Sequence, residues 1–239
     1  MLRAEKVFLW AVGTSEDVLS FHFMSVDLPH HEPNEGARST RATQARSVAR
    51  RLAILEATLR IVARDGVAGV THRTVAAEAG VPVTSTTYYF ESKPDLIAEA
   101  FRLHAERESA RVSASTGLLA GQSRSVETLA DRLSAFVCDG LAESRTQLIA
   151  EFELLMEATR RPELARLSKG WYEGMEHELA LALRELHSPD PTLDSRILLS
   201  VLAGLEVGLL AESEIDESEI HRLVQRLTTA LLEPKAPPT

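Results

Sequence analysis

Residues Val70–Leu96 read VTHRTVAAEAGVPVTSTTYYFESKPDL, and this stretch decides the fold. Thr71 stands where a helix N-cap belongs, ahead of Arg73, Val75, Ala76 and Ala79. Ala76 and Ala77 are small and let two helices approach closely. Gly80 follows at the helix end, where the chain turns through positive φ. Val81 precedes a proline and is pushed toward extended backbone, while Pro82 suits the first turn of a new helix. That helix carries Thr84, Ser85, Thr86, Thr87, Tyr88 and Tyr89, all able to hydrogen-bond phosphates or base edges, and ends on the apolar Phe90. Ser92 and Asp95 form a capping-box pattern for the next helix, and Lys93 beside its free N–H groups can hold a phosphate. A short helix, a glycine turn and a second short helix make a helix-turn-helix, a device for placing a helix end in the DNA major groove.

The pattern resembles the DNA-binding domain of the tetracycline-repressor (TetR) family over about Val48 to Glu108. The marks are the Ala-Gly-Val turn at Ala79–Val81, the cluster Tyr88-Tyr89-Phe90, and Ser92-Lys93 with Leu96. The resemblance implies that the second motif helix reads the major groove and that the aromatic cluster and following lysine touch phosphates. The expected DNA contacts are Thr71, Arg73, Thr84, Ser85, Thr86, Tyr88, Tyr89 and Lys93. Pro82, Thr84 and Thr87 depart from the Ser, Gly and Tyr common at those positions, which bears on the operator sequence rather than the fold.

The net charge of −9 over 239 residues looks wrong for a DNA binder until it is divided. Gly36–Lys93 holds eight Arg and one Lys against four acids, whereas 94–239 holds 15 basic residues against 25 acidic ones. The basic footprint is confined to the motif region, and the acidic remainder is repelled by DNA. Composition is helix-forming, with 44% hydrophobic residues and only 5% aromatics. The single Cys138, in an apolar helical stretch, excludes an internal disulfide and fits a reducing, cytoplasmic setting. No long apolar run suggests a membrane span. Neither GxSxG, HExxH, a P-loop nor a dinucleotide-binding glycine turn is present, so no enzyme and no cofactor is expected.

The expected architecture is all-α, a three-helix DNA-binding domain followed by a larger helical ligand-binding and dimerisation domain. Residues 1–45 read as a disordered extension ending in a basic arm, Gly36–Arg46, that can reach a groove or the phosphate backbone. Met24 is a candidate start, and His22, His30, His31 and Glu32 sit in polar surroundings that argue against a metal site. The DNA-binding domain spans 46–108 with its motif at 71–90. Its first helix, about Ser47 to Arg64, carries a stripe of Val48, Leu52, Leu55, Leu59 and Val62 that should pack on the motif helices. A helix from Lys93 to about Ser113 leads into the body, 109–233. Ser115–Ser125 has turn composition, and helices are expected near 125–143, 146–160, 163–187, 192–212 and 216–232. Residues 234–239 are expected to form a disordered tail.

Within the body, LLSVLAGLEVGLLAE (198–212) is apolar around most of its circumference, with Gly204 and Gly208 offering close approach. A homodimer interface is expected at Leu202, Gly204, Leu205, Gly208, Leu209, Leu223 and Leu227, as the resemblance to a dimeric family implies. A pocket for a small apolar effector is expected at Phe136, Phe152, Leu155, Met156, Trp171, Tyr172 and Met175, with a polar contact from Glu151, Glu176 or Glu206. The resemblance implies a transcriptional regulator, most often a repressor released from a palindromic double-stranded DNA operator by its effector. The alternatives are an effector-independent regulator or an activator on the same fold.

Overall fold

The computed structural model describes residues 35–117, 125–142 and 144–232. Met1–Arg41 forms a unit separate from Ala42–Thr239, and of that unit only the helical residues 35–41 are described. The expectations for Met24, the N-terminal histidines, residues 118–124 and the tail from Pro234 fall outside the described residues.

Among the described residues the chain is built from nine α-helices and one 3-10 turn, without strands. They are α1 (Glu35–Asp65), α2 (His72–Ala79), α3 (Val83–Tyr89), α4 (Lys93–Gly117), α5 (Val126–Ala142), α6 (Arg145–Ala158), α7 (Pro162–Glu185), α8 (Pro191–Leu209) and α9 (Glu217–Leu232), with the 3-10 turn at Val67–Gly69. None is long and apolar enough to cross a membrane.

Two expectations about α1 are corrected. It begins at Glu35, so the basic arm is the start of a helix rather than an irregular tail. That segment is rich in Ala and Arg and free of proline, so helix propensity continues upstream without any apolar stripe to advertise it. Of the expected stripe, Leu55, Leu59 and Val62 are buried, but Val48 is 62% exposed and Leu52 is exposed as well. The buried face is instead completed by Ile54, Ala57, Thr58 and Ile61. The C-terminal end of α4 also runs on through Ser115 to Gly117, into the segment expected to turn.

The turn between α2 and α3 follows from local chemistry. Thr71 caps α2, its hydroxyl accepting from the Thr74 amide at 3.1 Å while its own amide donates to Thr74 Oγ1 at 2.9 Å. Gly80 adopts φ 65° and ψ 33°, and the Val81 amide closes back on the Ala76 carbonyl at 3.0 Å. That left-handed conformation costs a residue with a Cβ about 1–2 kcal/mol. Pro82, at φ −59° and ψ 145°, is the cap residue of α3 rather than part of its first turn.

One apolar interior runs from the motif into the body. Val75, Phe90, Leu96, Ile97 and Phe101 join Ala150, Leu154, Leu164, Trp171 and Met175 in a continuous core. A second core gathers Leu129, Leu133 and Val137 of α5 with Leu179, Leu183, Leu198, Leu202, Ile220 and Val224.

Candidate DNA-reading surface and effector site

α3 has seven residues and two unlike faces. Thr86 is fully buried: its hydroxyl donates to the Val83 carbonyl at 2.8 Å and lies 3.1 Å from His72 Nδ1. It therefore latches α3 to α2 and cannot reach a base edge, which removes Thr86 from the expected contacts. Tyr89 is half-buried, and its hydroxyl shares a hydrogen bond of 2.9 Å with Ser47 Oγ on α1. The outward face holds Val83, Thr84, Thr87 and Tyr88, the last 80% exposed, while Ser85 is half-buried. Sequence reading had not placed Val83 or Thr87 among the expected contacts, because a helix of hydroxyl residues carries no apolar period to fix its phase.

The cations around this face fall into two sets. Arg60 and Arg64 on α1 both bind Glu78 on α2, at 2.9 and 3.0 Å, and hold its carboxyl below the usual range. Arg64 also pairs with Asp65, which together with Glu78 raises its guanidinium further. Arg51 pairs with Glu99 and lies over the Phe90 ring at 5.4 Å. These arginines brace the module. Arg50 and Arg73 are exposed and have no ion pair among the described residues. Lys93 Nζ donates to the Ala68 carbonyl at 3.1 Å, in the middle of the 3-10 turn. Thr71 is exposed, but its hydroxyl is already engaged in the α2 cap.

In the body, Trp171 and Met175 are buried, and Phe136, Phe152, Leu155 and Tyr172 are half-buried. Met156 is 58% exposed and does not line an interior site: it follows the two buried-face positions Ala150 and Leu154 on the opposite side of α6. Glu176 also drops out, since it pairs at the surface with Arg196 of α8 at 3.0 Å. Leu202, expected in the dimer contact, is buried in the chain's own second core. Gly204, Gly208 and Leu223 are exposed, and Leu205, Leu209 and Leu227 are half-buried. The exposed Val201 and Val207 extend this outer face of α8. A surface groove of about 390 Å³ runs along α9 past Arg222, Arg226 and Ala230.

The interior of the body is not purely apolar. Glu108 of α4, Glu151 of α6 and Glu206 of α8 are each at least nine-tenths buried, as is His104 of α4. His104 Nε2 lies 2.9 Å from Glu151 Oε2, and Arg111 Nη1 donates to Glu108 at 2.7 Å. The other Arg111 nitrogen reaches the Phe136 carbonyl at 3.3 Å, with the guanidinium 4.5 Å from the Phe136 ring centre. Burial, then the neighbouring Glu151 and Glu108, push the Glu206 carboxyl up to about 8, while Arg111 opposes them. Burial and the same acidic surroundings push the Tyr172 phenol up to about 12. Sequence reading missed Glu108 and Arg111, because charged residues three and four apart on a long helix read as a solvated face.

A short helix locked by one face, open on the other and joined through α4 to a helical body defines a helix-turn-helix DNA-binding regulator. Residues 54–107 match the profile described as bacterial regulatory proteins, tetR family, and 124–233 match the tetracyclin repressor-like C-terminal domain. A TetR-family member from Streptomyces coelicolor A3 is 37% identical, the match covering 74% of this chain and 97% of that one with a TM-score of 0.60. The multidrug binding protein EbrR, solved with ethidium, is 37% identical with a TM-score of 0.58, over 74% of this chain and 97% of its own. The nicotine-responsive transcriptional repressor HdnoR of Paenarthrobacter nicotinovorans is 26% identical over 171 residues, 70% of this chain and 86% of HdnoR. The chain belongs to the TetR family of DNA-binding transcriptional regulators.

Proposed function

We propose that this chain is a dimeric repressor that leaves a palindromic operator when a small molecule binds its helical body. The observation that carries the reading is the division of α3: Thr86 and Tyr89 fix the helix from behind, so Thr84, Thr87 and Tyr88 are presented in a set orientation. Val83 adds an exposed apolar contact suited to a thymine methyl. Arg50, Arg73 and Lys93 supply positive charge for phosphates. The outer face of α8, with Val201, Gly204, Val207 and Gly208, is the surface proposed to meet a second copy. A Cβ on either glycine would meet nothing within 4 Å. Two reading helices one helical turn apart demand such a pairing. The ligand response is supported by the relatives named for theirs, the nicotine-responsive HdnoR and the ethidium complex of EbrR.

The test is a salt-series titration against DNA from the region upstream of the chain's own gene. Thr84→Ala should cost about 1–3 kcal/mol at one base pair and relax preference there, whereas Lys93→Ala should weaken all sequences alike and lower the salt slope by about one. Gly208→Arg should be monomeric by light scattering and lose the palindrome. A Thr84→Ala protein with unchanged base preference, or a dimeric Gly208→Arg protein, contradicts the reading.

A further inference from the structure

Resting on the reading that the body holds the effector, we propose that this effector is a monocationic aromatic molecule, with the Glu206 carboxylate as its counter-ion and Trp171, Tyr172 and Phe136 as its walls. Composition alone suggested an apolar guest; the partners of the buried charges point to a positive one. Glu108 has Arg111, and Glu151 has His104. Glu206 is 7% exposed and has no hydrogen-bond or ion-pair partner among the described residues. A buried carboxylate without a counter-ion is costly to ionise, so the chain keeps it protonated toward neutral pH. The missing element is a cation.

Two further observations mark the place for one. Gly140 is buried in the last turn of α5. A Cβ there would sit 3.4 Å from Glu206 Oε1 and 3.8 Å from Arg111 Nη2, so its absence keeps space beside the unpaired carboxylate. Trp171, edge-on to His104 at 5.6 Å and beside Tyr172 at 5.2 Å, carries a buried indole N–H with no acceptor. An unpaired carboxylate, an unpaired donor and aromatic faces together fit a flat organic cation bearing an acceptor. A metal ion is the poorer match: among the described residues no three His, Cys, Asp or Glu side chains gather closely enough to hold one. The site also touches the right helix, because His104, Glu108 and Arg111 share one face of α4, whose first residue is Lys93 of the reading module.

The experiment is calorimetry on the full chain with N-methylquinolinium and with quinoline, a neutral molecule of nearly the same shape, above the Glu206 titration. The cation should bind about tenfold or more tightly than quinoline. Glu206→Gln should weaken the cation about 10- to 100-fold and leave quinoline unchanged, while the surface variant Glu176→Gln should change neither. Below the Glu206 titration the wild-type protein should release a proton on binding the cation, read as a dependence of the heat on buffer ionisation enthalpy. That arm requires no variant to fold. Equal affinity for the two probes, a cation affinity untouched by Glu206→Gln, absence of proton release, or no binding of the cation at about 1 mM overturns the assignment. Cation binding of this kind that leaves the DNA complex intact preserves the ligand class and sinks the effector reading. Release of DNA by quinoline as readily as by the cation does the reverse.

Discussion

The two ends of α4 sit in interiors of opposite character. Around Leu96, Ile97 and Phe101 the core is predominantly apolar, and Arg60 and Arg64 of the reading module are paired at its surface on Glu78. Around His104, Glu108 and Arg111 the same helix meets buried carboxylates on α6 and α8. Less than one helical turn, from Phe101 to His104, separates a region optimised for a single conformation from one that gives up stability to keep charge inside. A regulator needs both: a rigid element that presents α3 and a bistable one that a ligand can bias.

The sharpest way to test this contrast is to remove bulk from the rigid end. Phe101 is fully buried and stands edge-on to Trp171 at 5.9 Å. Phe101→Ala should cost about 3–5 kcal/mol in a denaturant melt. A loss near 1 kcal/mol would mean that the apolar end is loosely packed and the contrast is wrong.

At the polar end the sign should reverse. The Glu206 carboxyl is raised from 4.5 to about 8, so the folded chain binds its proton more tightly than the unfolded chain does. Its contribution is fully present below about 4.5, is lost as pH rises through about 8, and is absent above. Glu206→Gln should therefore gain on the order of 2–4 kcal/mol over the wild type at alkaline pH and little at acid pH. Melting curves across that range decide it. A Gln variant less stable than the wild type at alkaline pH would show that Glu206 holds the fold together instead.

The smallest effect separates the two faces of α3. Thr86→Val keeps shape and loses the hydroxyl between Val83 and His72, so stability should fall by about 1 kcal/mol with base preference unaltered. A changed preference would return Thr86 to the DNA surface.

What the sequence made legible follows the range of the forces involved. Thr71, Gly80, Pro82 and the Ser92–Asp95 pair act on neighbours within a turn, so the helix-turn-helix could be read residue by residue. The helix breaks of the body were legible for the same reason. The phase of α3 was not, since Thr84 and Thr86 are chemically identical and only the position of His72 makes one inward and the other outward. Met156 misled because an apolar side chain on a mostly apolar helix gives no sign of which neighbours will cover it. The buried acids were half legible. Glu206 stood out inside LLSVLAGLEVGLLAE, and Glu151 and Glu206 were candidate polar contacts, but Glu151 lies 47 residues of chain from His104, and Glu206 lies about a hundred from Glu108 and Arg111.

The uninterrupted interior from Val75 to Met175 has a practical meaning for protein engineering. Grafting this reading module onto a different sensor by cutting within α4 would sever Phe101 from Trp171 and Arg107 from Glu56, leaving an oily scar on both halves. A workable chimera must carry α4 whole, together with the faces of α6 and α7 that cover it, so that what is transplanted is a packed hinge rather than a detachable reading head.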